Sequence, residues 1–251
     1  MTVDPRLVEE AALNALQTQR QRFYDGWLLR LSPGSAKRAR SVNPHFGSSL
    51  PIDEKIDRCE VIYAAQKLPT LFRITLFCKP PALEAALEHR GYVPFDDTLV
   101  QITRIVPAAE RRVDGVELAI ATVAEFVAAV GALRGSSEVQ RGAHYERLSN
   151  TLLDIRAVIA RSGGEIVGCG QLTIDGGLAA IYDIVTAADF RGRGLATSIV
   201  AALMSEAARM GAADALLQVN ADNAPARAVY VKFGFATLYT YHYRARPFEC
   251  F

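Results

Sequence analysis

The sequence contains few of the residues from which metal sites and disulfide frameworks are built. Its four cysteines, at positions 59, 78, 169 and 250, are scattered and form no Cys-x-x-Cys pair. This spacing argues against a metal site and indicates free thiols in a reducing compartment. No apolar run reaches the ~18 residues of a membrane-spanning helix, and no signal peptide opens the chain. We therefore expect a cytoplasmic protein that does not span a membrane.

Charge of one sign is also scarce. The 28 basic and 27 acidic residues leave a formal net charge of +1, which argues against broad electrostatic binding of nucleic acid or of an anionic membrane. Half of the residues are hydrophobic and 22% are charged, a composition that predicts a proper core and no extensive disorder. At 251 residues, one large or two small domains are expected.

What the sequence does contain is a strand, a glycine-rich turn and a helix start in direct succession. An apolar run at residues 178–185 predicts the strand, and residues 195–210 carry the 3.6-residue period of a helix. Between them the chain reads Asp189-Phe190-Arg191-Gly192-Arg193-Gly194-Leu195-Ala196-Thr197. Glycines let the backbone approach a ligand, and N–H groups at a helix start attract anions. The turn therefore predicts a phosphate or pyrophosphate site, although its spacing fits neither a P-loop nor a dinucleotide fingerprint.

A second motif follows the helix. Gly211 is placed to end the helix, and residues 215–219 predict a short strand. Asn223 and Pro225 then mark the start of another helix, which is predicted to run to about Phe233 and stop at Gly234.

The two motifs resemble the signatures of the GNAT superfamily of acyl-coenzyme-A-dependent N-acyltransferases. The turn matches Arg/Gln-x-x-Gly-x-Gly/Ala, and the run from Asn223 through Tyr230 to Phe235 is similar to the family's second signature. The resemblance covers residues 116–246, with specific motifs only from residue 181 onward. It implies a mixed-sheet α/β fold, acetyl-CoA as co-substrate, no metal, and transfer of an acetyl group to a primary amine of a small molecule or protein.

The resemblance also implies which residues hold the cofactor. The turn would hold the pyrophosphate, the backbone of the strand before it would pair with the pantetheine arm, and one strand N–H, at Val185, would face the thioester oxygen. Asn223 is expected to bond the pantetheine or to cap its helix. The predicted cofactor-binding residues are Ile184, Val185, Thr186, Arg191, Gly192, Arg193, Gly194, Leu195, Ala196, Thr197, Asn223 and Tyr230.

Two side chains are predicted to be catalytic. Tyr230 is the candidate hydrogen-bond donor to the departing sulfur, a role that the resemblance implies. Asp183 is the candidate general base, because it lies in an otherwise apolar strand where burial would raise its pKa. The alternative is that Asp183 pairs with an arginine or caps a loop. Glu138, His144 and Tyr145 lie on the segment that in this family lines the acceptor side, but a solvated loop and helix is the favoured interpretation of these residues.

The predicted division is a degenerate GNAT-like domain at residues 1–106, a linker at 107–115 and a catalytic GNAT domain at 116–251. The first part shows the order strand–strand–helix–strand–helix–strand, but no arginine-and-glycine turn precedes its helix at residue 52. When Gly91 is aligned with Gly234, Leu87 corresponds to Tyr230, so the first part lacks that hydroxyl. An internal duplication and a chance likeness of two α/β halves both remain open. A non-catalytic acyl-CoA-binding sensor is the alternative function, and either a monomer or a homodimer is expected.

Overall fold

The computed structural model describes residues 3–18, 20–34, 36–106 and 111–250. The helices are α1 (Pro5–Asn14), α2 (Ile52–Ala65), α3 (Leu83–His89), α4 (Val123–Arg134), α5 (Glu138–Ser149), α6 (Leu195–Arg209) and α7 (Ala224–Val231). The strands are β1 (Gln21–Tyr24), β2 (Trp27–Arg30), β3 (Val42–Asn43), β4 (Phe72–Ile74), β5 (Val93–Arg104), β6 (Glu117–Ala121), β7 (Asp154–Ser162), β8 (Glu165–Asp175), β9 (Leu178–Thr186), β10 (Asp214–Asn220) and β11 (Ala236–Ala245). The predicted α/β class is confirmed. Residues 107–110 of the predicted linker lie outside the described part.

Three local predictions differ from the structure. The first helix, expected over residues 5–22, ends at Asn14, because residues 21–24 pair with β2 as a hairpin. The strand expected at residues 37–42 is a 3₁₀ turn, Lys37–Ala39, followed by the two-residue β3. The loop expected at residues 135–142 contains the start of α5, where Ser137 and Gln140 form a capping box. The capping box satisfies backbone N–H groups of the first turn and so places the start of α5 at Glu138.

The described chain divides into two compact units that interleave along the sequence. The first contains residues 1–15, 100–219 and 223–238, and the second contains residues 16–99, 220–222 and 239–251. These units do not coincide with the predicted division at residues 106 and 116, because α1 belongs to the first unit and most of β11 to the second. Strands β5 and β11 each contribute residues to both units.

In the first unit the strand order is β5-β10-β9-β8-β7-β6. Strand β8 is covered on both faces. Cys169 packs in a cluster with Phe126 and Val130 of α4, whereas a Cβ on either neighbouring glycine, Gly168 or Gly170, would meet side chains of α6. Successive residues of a strand point to opposite faces, so the sheet is sandwiched between α4 and α6. The two small residues allow α6 to approach closely.

In the second unit the strand order is β1-β2-β3-β4-β11. Its core forms around Trp27, with Phe72 edge-on at 6.0 Å and the wholly buried Tyr63. Lys55 is also wholly buried, because its ammonium lies 3.8 Å over the Trp27 ring and 2.6 Å from the backbone oxygen of Asp25. A buried cation persists only where such partners replace its water.

Candidate active site

The candidate site lies where two parallel strands of the first unit stop pairing. The β9–β10 register runs from Leu178 opposite Asp214 to Ile181 opposite Leu217 and includes neither residues 182–186 nor residues 218–220. On its other edge β9 continues to pair with β8, with Val185 opposite Cys169 and Thr186 opposite Gly168. The carboxyl end of β9 therefore keeps one edge outside the parallel register. Such an edge can accept an extended amide-bearing chain by backbone hydrogen bonds.

A bulge in β9 sets the geometry at this end. The β8–β9 register shifts between Cys169 and Gln171, because Val185 and Tyr182 stand opposite these two residues and β9 has one residue more in between. Asp183 occupies the bulge with a φ of 55°, a left-handed conformation that aspartate tolerates better than most residues. Bulges redirect side chains and bend strands, and this one turns Asp183 and Ile184 to different sides of the sheet.

The predicted anion-binding turn follows directly. Gly192 and Gly194 have φ values of 74° and 84°, and a Cβ at either position would meet no atom within 4 Å among the described residues. Gly194 is the N-cap of α6, and within the described part no side chain caps this helix. The N–H groups of its first turn have no carbonyl partner within the helix. The turn is therefore open, with backbone donors and a positive helix end beside it.

Two arginines flank these glycines. Arg191 and Arg193 are both exposed, and the Arg193 guanidinium lies 5.1 Å from the centre of the Phe190 ring. Because neither is buried, both can swing toward an anion seated on the turn. Open space, backbone donors and two mobile cations together fit a diphosphate group.

The helix α7 carries the second predicted motif. The side-chain oxygen of Asn223 accepts a hydrogen bond from the Ala226 N–H at 3.1 Å, so the capping role is present. Tyr230 is 9% exposed, and its ring centre lies 6.0 Å from that of Phe235. Burial raises the pKa of Tyr230 to about 12. Its hydroxyl therefore stays protonated at neutral pH and is available as a donor.

Asp183 is surrounded by three donors. Its Oδ1 accepts from the Arg134 Nη1 at 2.7 Å, and its Oδ2 accepts from the Gln171 Nε2 at 2.7 Å and lies 3.4 Å from the His144 Nε2. Burial by itself raises the pKa of Asp183, but the hydrogen bond from His144 and the charges of Arg134 and Arg147 outweigh it, and the net direction is downward. The expected upward shift is thus wrong, because the sequence does not show which cations the fold brings to this carboxylate. The pairing with an arginine, the stated alternative, is present.

The structure brings the predicted residues into one unit. Residues 183–186 and 191–197 lie on one segment of the chain that runs from the end of β9 into α6. Asn223 caps α7 and Tyr230 lies within it, in the same unit. Sequence reasoning missed Arg134 and Gln171 as partners of Asp183 and gave His144 no specific contact. A polar Gln171 within the apolar run of β8 was the available signal, since buried polar side chains need partners.

The second unit has a turn at the corresponding position, before α2, but a carboxylate of the same chain occupies it. The N–H groups of Ser49 and Leu50 donate to the Asp25 side chain at 3.0–3.1 Å. Hydrogen bonds from Leu50 and Ser49 hold the pKa of Asp25 well below its usual range. These N–H groups therefore already donate to the Asp25 carboxylate and not to an external anion. This agrees with the absence of the arginine-and-glycine motif before α2.

Comparisons with known proteins concern the region that contains this site. Residues 130–235 match the model of the acetyltransferase (GNAT) family, which includes the end of β9, the turn and α7. The chain is 26% identical over 253 residues to the "Uncharacterized N-acetyltransferase YobR" of Bacillus subtilis (strain 168), covering 97% of this chain and 99% of the relative. Residues 130–235 therefore match a GNAT acetyltransferase domain, and the chain as a whole is similar to a relative named an N-acetyltransferase. This family generally uses acetyl-CoA as co-substrate.

Solved structures show the same fold. A GCN5-related N-acetyltransferase from Kribbella flavida superimposes with a TM-score of 0.70 at 18% identity, covering 98% of this chain and 96% of that one. A tandem GNAT protein from the clavulanic acid biosynthesis pathway superimposes with a TM-score of 0.60 at 17% identity, covering 76% of this chain and 67% of that one. The second likeness supports the tandem architecture in part.

No helix in the described ranges is long and apolar enough to cross a membrane. Within the same ranges, no group of histidine, cysteine, aspartate and glutamate side chains is arranged to hold a metal ion.

Proposed function

We propose that the protein transfers the acetyl group of acetyl-CoA to a primary amine of a small molecule or protein, by direct attack of the amine on the thioester. The observation that carries this proposal is the open glycine turn at residues 191–197, directly after a strand whose edge has left the β9–β10 register. The turn offers backbone donors to the diphosphate, and residues 184–186 offer the strand edge to the pantetheine amides. All proposed site residues lie within the proposed catalytic domain at 116–251.

The backbone around the bulge would hold the reacting carbonyl. The Val185 N–H is our candidate donor to the thioester oxygen, where negative charge develops as the amine attacks. A fixed backbone donor stabilises that charge more than mobile water does, since it needs no reorganisation during the reaction. Removing one such donor typically costs about 3 kcal/mol of activation free energy.

Tyr230 would stabilise the leaving sulfur without giving up its proton. Its pKa of about 12 stands well above the ~8.5 of a thiol, so full proton transfer to the thiolate would be uphill by roughly 5 kcal/mol. A hydrogen bond from a neutral hydroxyl to a charged acceptor contributes about 1.5–3 kcal/mol. We therefore assign Tyr230 as a donor to the thiolate, whose proton then comes from solvent.

The test uses acetyl-CoA and a broad amine panel, with release of thiol as the readout. We expect acetyl-CoA-dependent thiol release with at least one amine, and a roughly 10- to 150-fold lower kcat in Tyr230→Phe, from the loss of that hydrogen bond. Tyr63→Phe is the matched control, because it removes a buried hydroxyl that donates to the Arg30 carbonyl in the second unit. It should lower stability and leave kcat unchanged. Binding of CoA without turnover of any amine would favour the acyl-CoA sensor instead.

A further inference from the structure

The polar cluster around Asp183 contains one side chain with a basic ring nitrogen, the imidazole of His144. The Asp183 carboxylate contacts the guanidinium of Arg134 at the end of α4, the side-chain amide of Gln171 in β8 and the imidazole of His144 in α5. Both carboxylate oxygens are engaged, so a proton arriving there would displace an existing hydrogen bond or ion pair. The Cys169 thiol, whose Sγ lies 4.0 Å from the Asp183 backbone oxygen, stays protonated because burial raises its pKa to about 12. Of the three side chains that contact the Asp183 carboxylate, only the imidazole of His144 has a ring nitrogen whose lone pair can accept a proton.

The imidazole of His144 is held from two sides. Its Nε2 lies 3.4 Å from the Asp183 Oδ2, and its ring stands edge-on to Phe126 with the ring centres 5.9 Å apart and an interplanar angle of 87°. Its side chain is 14% exposed, so part of the ring still reaches solvent. A hydrogen on Nε2, facing the carboxylate, leaves the lone pair on Nδ1. A carboxylate that fixes one nitrogen of a histidine sets which nitrogen is basic.

The position suits a base for the acceptor amine. Asp183 is two residues before Val185, the proposed thioester donor, which limits the distance between their Cα atoms to about 7 Å. The imidazole that contacts Asp183 therefore lies beside the same stretch of β9 as the proposed thioester donor, where the proton of the amine would pass to it directly or through one water. Hydrogen bonds of catalytic groups are often long before the substrate binds, and 3.4 Å is such a distance.

We propose that His144 is the general base of the acetyl transfer and that Asp183 is its positioning residue, an inference that rests on the function proposed above. An N–H bond of the acceptor ammonium breaks and its proton passes to Nδ1 of His144. The freed electron pair of nitrogen forms the C–N bond, the C–S bond breaks, and its electron pair leaves with the sulfur. The second surplus proton of nitrogen reaches the thiolate through solvent, and His144 returns its own proton to solvent.

The first test does not need an acceptor. The chain has four histidines, at positions 45, 89, 144 and 242, so imidazole nitrogen NMR signals can be assigned by comparing the full chain with His144→Gln. We expect His144 above neutral pH to carry its hydrogen on Nε2, and Asp183→Asn, which keeps the left-handed conformation, to weaken that preference. A hydrogen found on Nδ1 would overturn the proposal.

The second test separates chemistry from structure. Wild type, His144→Gln and the control His89→Gln, an exposed residue of α3, are compared for CoA binding by calorimetry, unfolding midpoint, and the pH profile of kcat/KM between pH 6 and 9.5. We expect unchanged CoA binding and a loss of about 100-fold or more in kcat/KM for His144→Gln at neutral pH, with disappearance of one deprotonation from its pH profile. His89→Gln should match the wild type.

The outcomes distinguish the two proposals. If the wild type binds no CoA, the proposed function fails, and the tautomer measurement alone then decides the His144–Asp183 pairing. If CoA binds and His144→Gln keeps its rate and pH profile within about threefold of wild type, His144 is not the base, although the acetyl transfer stands. A role for His144 in stability alone would lower the unfolding midpoint and leave the pH profile as it is in the wild type.

Discussion

Replacing Gly194 by alanine tests the anion-binding turn with a change of one methyl group. Gly194 has a φ of 84°, where a residue with a Cβ costs roughly 1–2 kcal/mol. The new methyl would meet no described atom within 4 Å, so the whole cost is conformational and not steric. In the free protein the exposed turn can relax to a negative φ and remove that cost, but relaxation rotates the N–H groups away from the ligand.

Binding must then restore the strained conformation. The 1–2 kcal/mol of strain reappears as weaker affinity, which corresponds to roughly 5- to 30-fold in the dissociation constant. Calorimetric titration of wild type and Gly194→Ala with CoA measures this ratio directly, and urea unfolding measures how much of the strain stays in the free protein.

Gly164→Ala is the matched control. Gly164 has a φ of 87°, and its Cβ would also meet nothing within 4 Å among the described residues, but it lies in the turn between β7 and β8. The same methyl there should lower the free energy of unfolding by a similar 1–2 kcal/mol and leave CoA affinity unchanged. If Gly194→Ala keeps both the CoA affinity and the free energy of unfolding of the wild type, while Gly164→Ala is destabilised as expected, the assignment of this turn to the diphosphate is refuted.

Three further predictions concern stability. Thr122→Ala removes the capping box that Thr122 forms with Glu125 at the start of α4 and should lower the free energy of unfolding by about 0.5–2 kcal/mol; an unchanged urea midpoint would contradict it. Gly170→Ala places a Cβ 2.5 Å from the Ile184 Cδ1. This overpacking should lower the free energy of unfolding by about 1–3 kcal/mol, which thermal unfolding measures. An equal or higher Tm would show that β8 and α6 accommodate the methyl group without strain. Because the pKa of Asp25 is lowered in the folded protein, its contribution to the free energy of unfolding is fully present above the unfolded-state pKa of ~3.9 and declines as the pH falls below about 4. Urea unfolding of Asp25→Asn should therefore show a weaker loss of stability than wild type between pH 5 and 2. Parallel plots of the free energy of unfolding against pH for the two proteins would count against this prediction.

The sequence predicted the helices and strands of residues 116–251 closely, because the sequence patterns that indicate them are local. Strand β9 (Leu178–Thr186) ends one residue beyond the apolar run at residues 178–185 that predicted it, and Thr122 caps α4. Glycines with positive φ stand at the turns where Gly-Gly pairs were found, at residues 163–164 and 176–177. Periodicity, caps and turn residues act within a few positions of the chain, so they can be read without the fold.

The surroundings of Asp183 could not be predicted in the same way. The burial of its strand predicted a raised pKa, but His144 of α5 and Arg134 of α4, 39 and 49 residues away in sequence, reverse the direction. Gln171 of β8, 12 residues away, adds a hydrogen bond to the same carboxylate. The sequence also did not predict that the two units interleave, since no local pattern shows that β5 and β11 each contribute residues to both units.

By itself, the amino-acid sequence determined the resemblance to the GNAT family, the α/β class and the position of the glycine turn, because each depends on residues that are neighbours along the chain. Only the tertiary structure decided where β9 leaves its parallel partner, which cations reach Asp183, and that the second unit fills its own turn with the Asp25 carboxylate. Those features depend on contacts between distant segments, whose electrostatic and hydrogen-bonding effects exist only once the chain has folded.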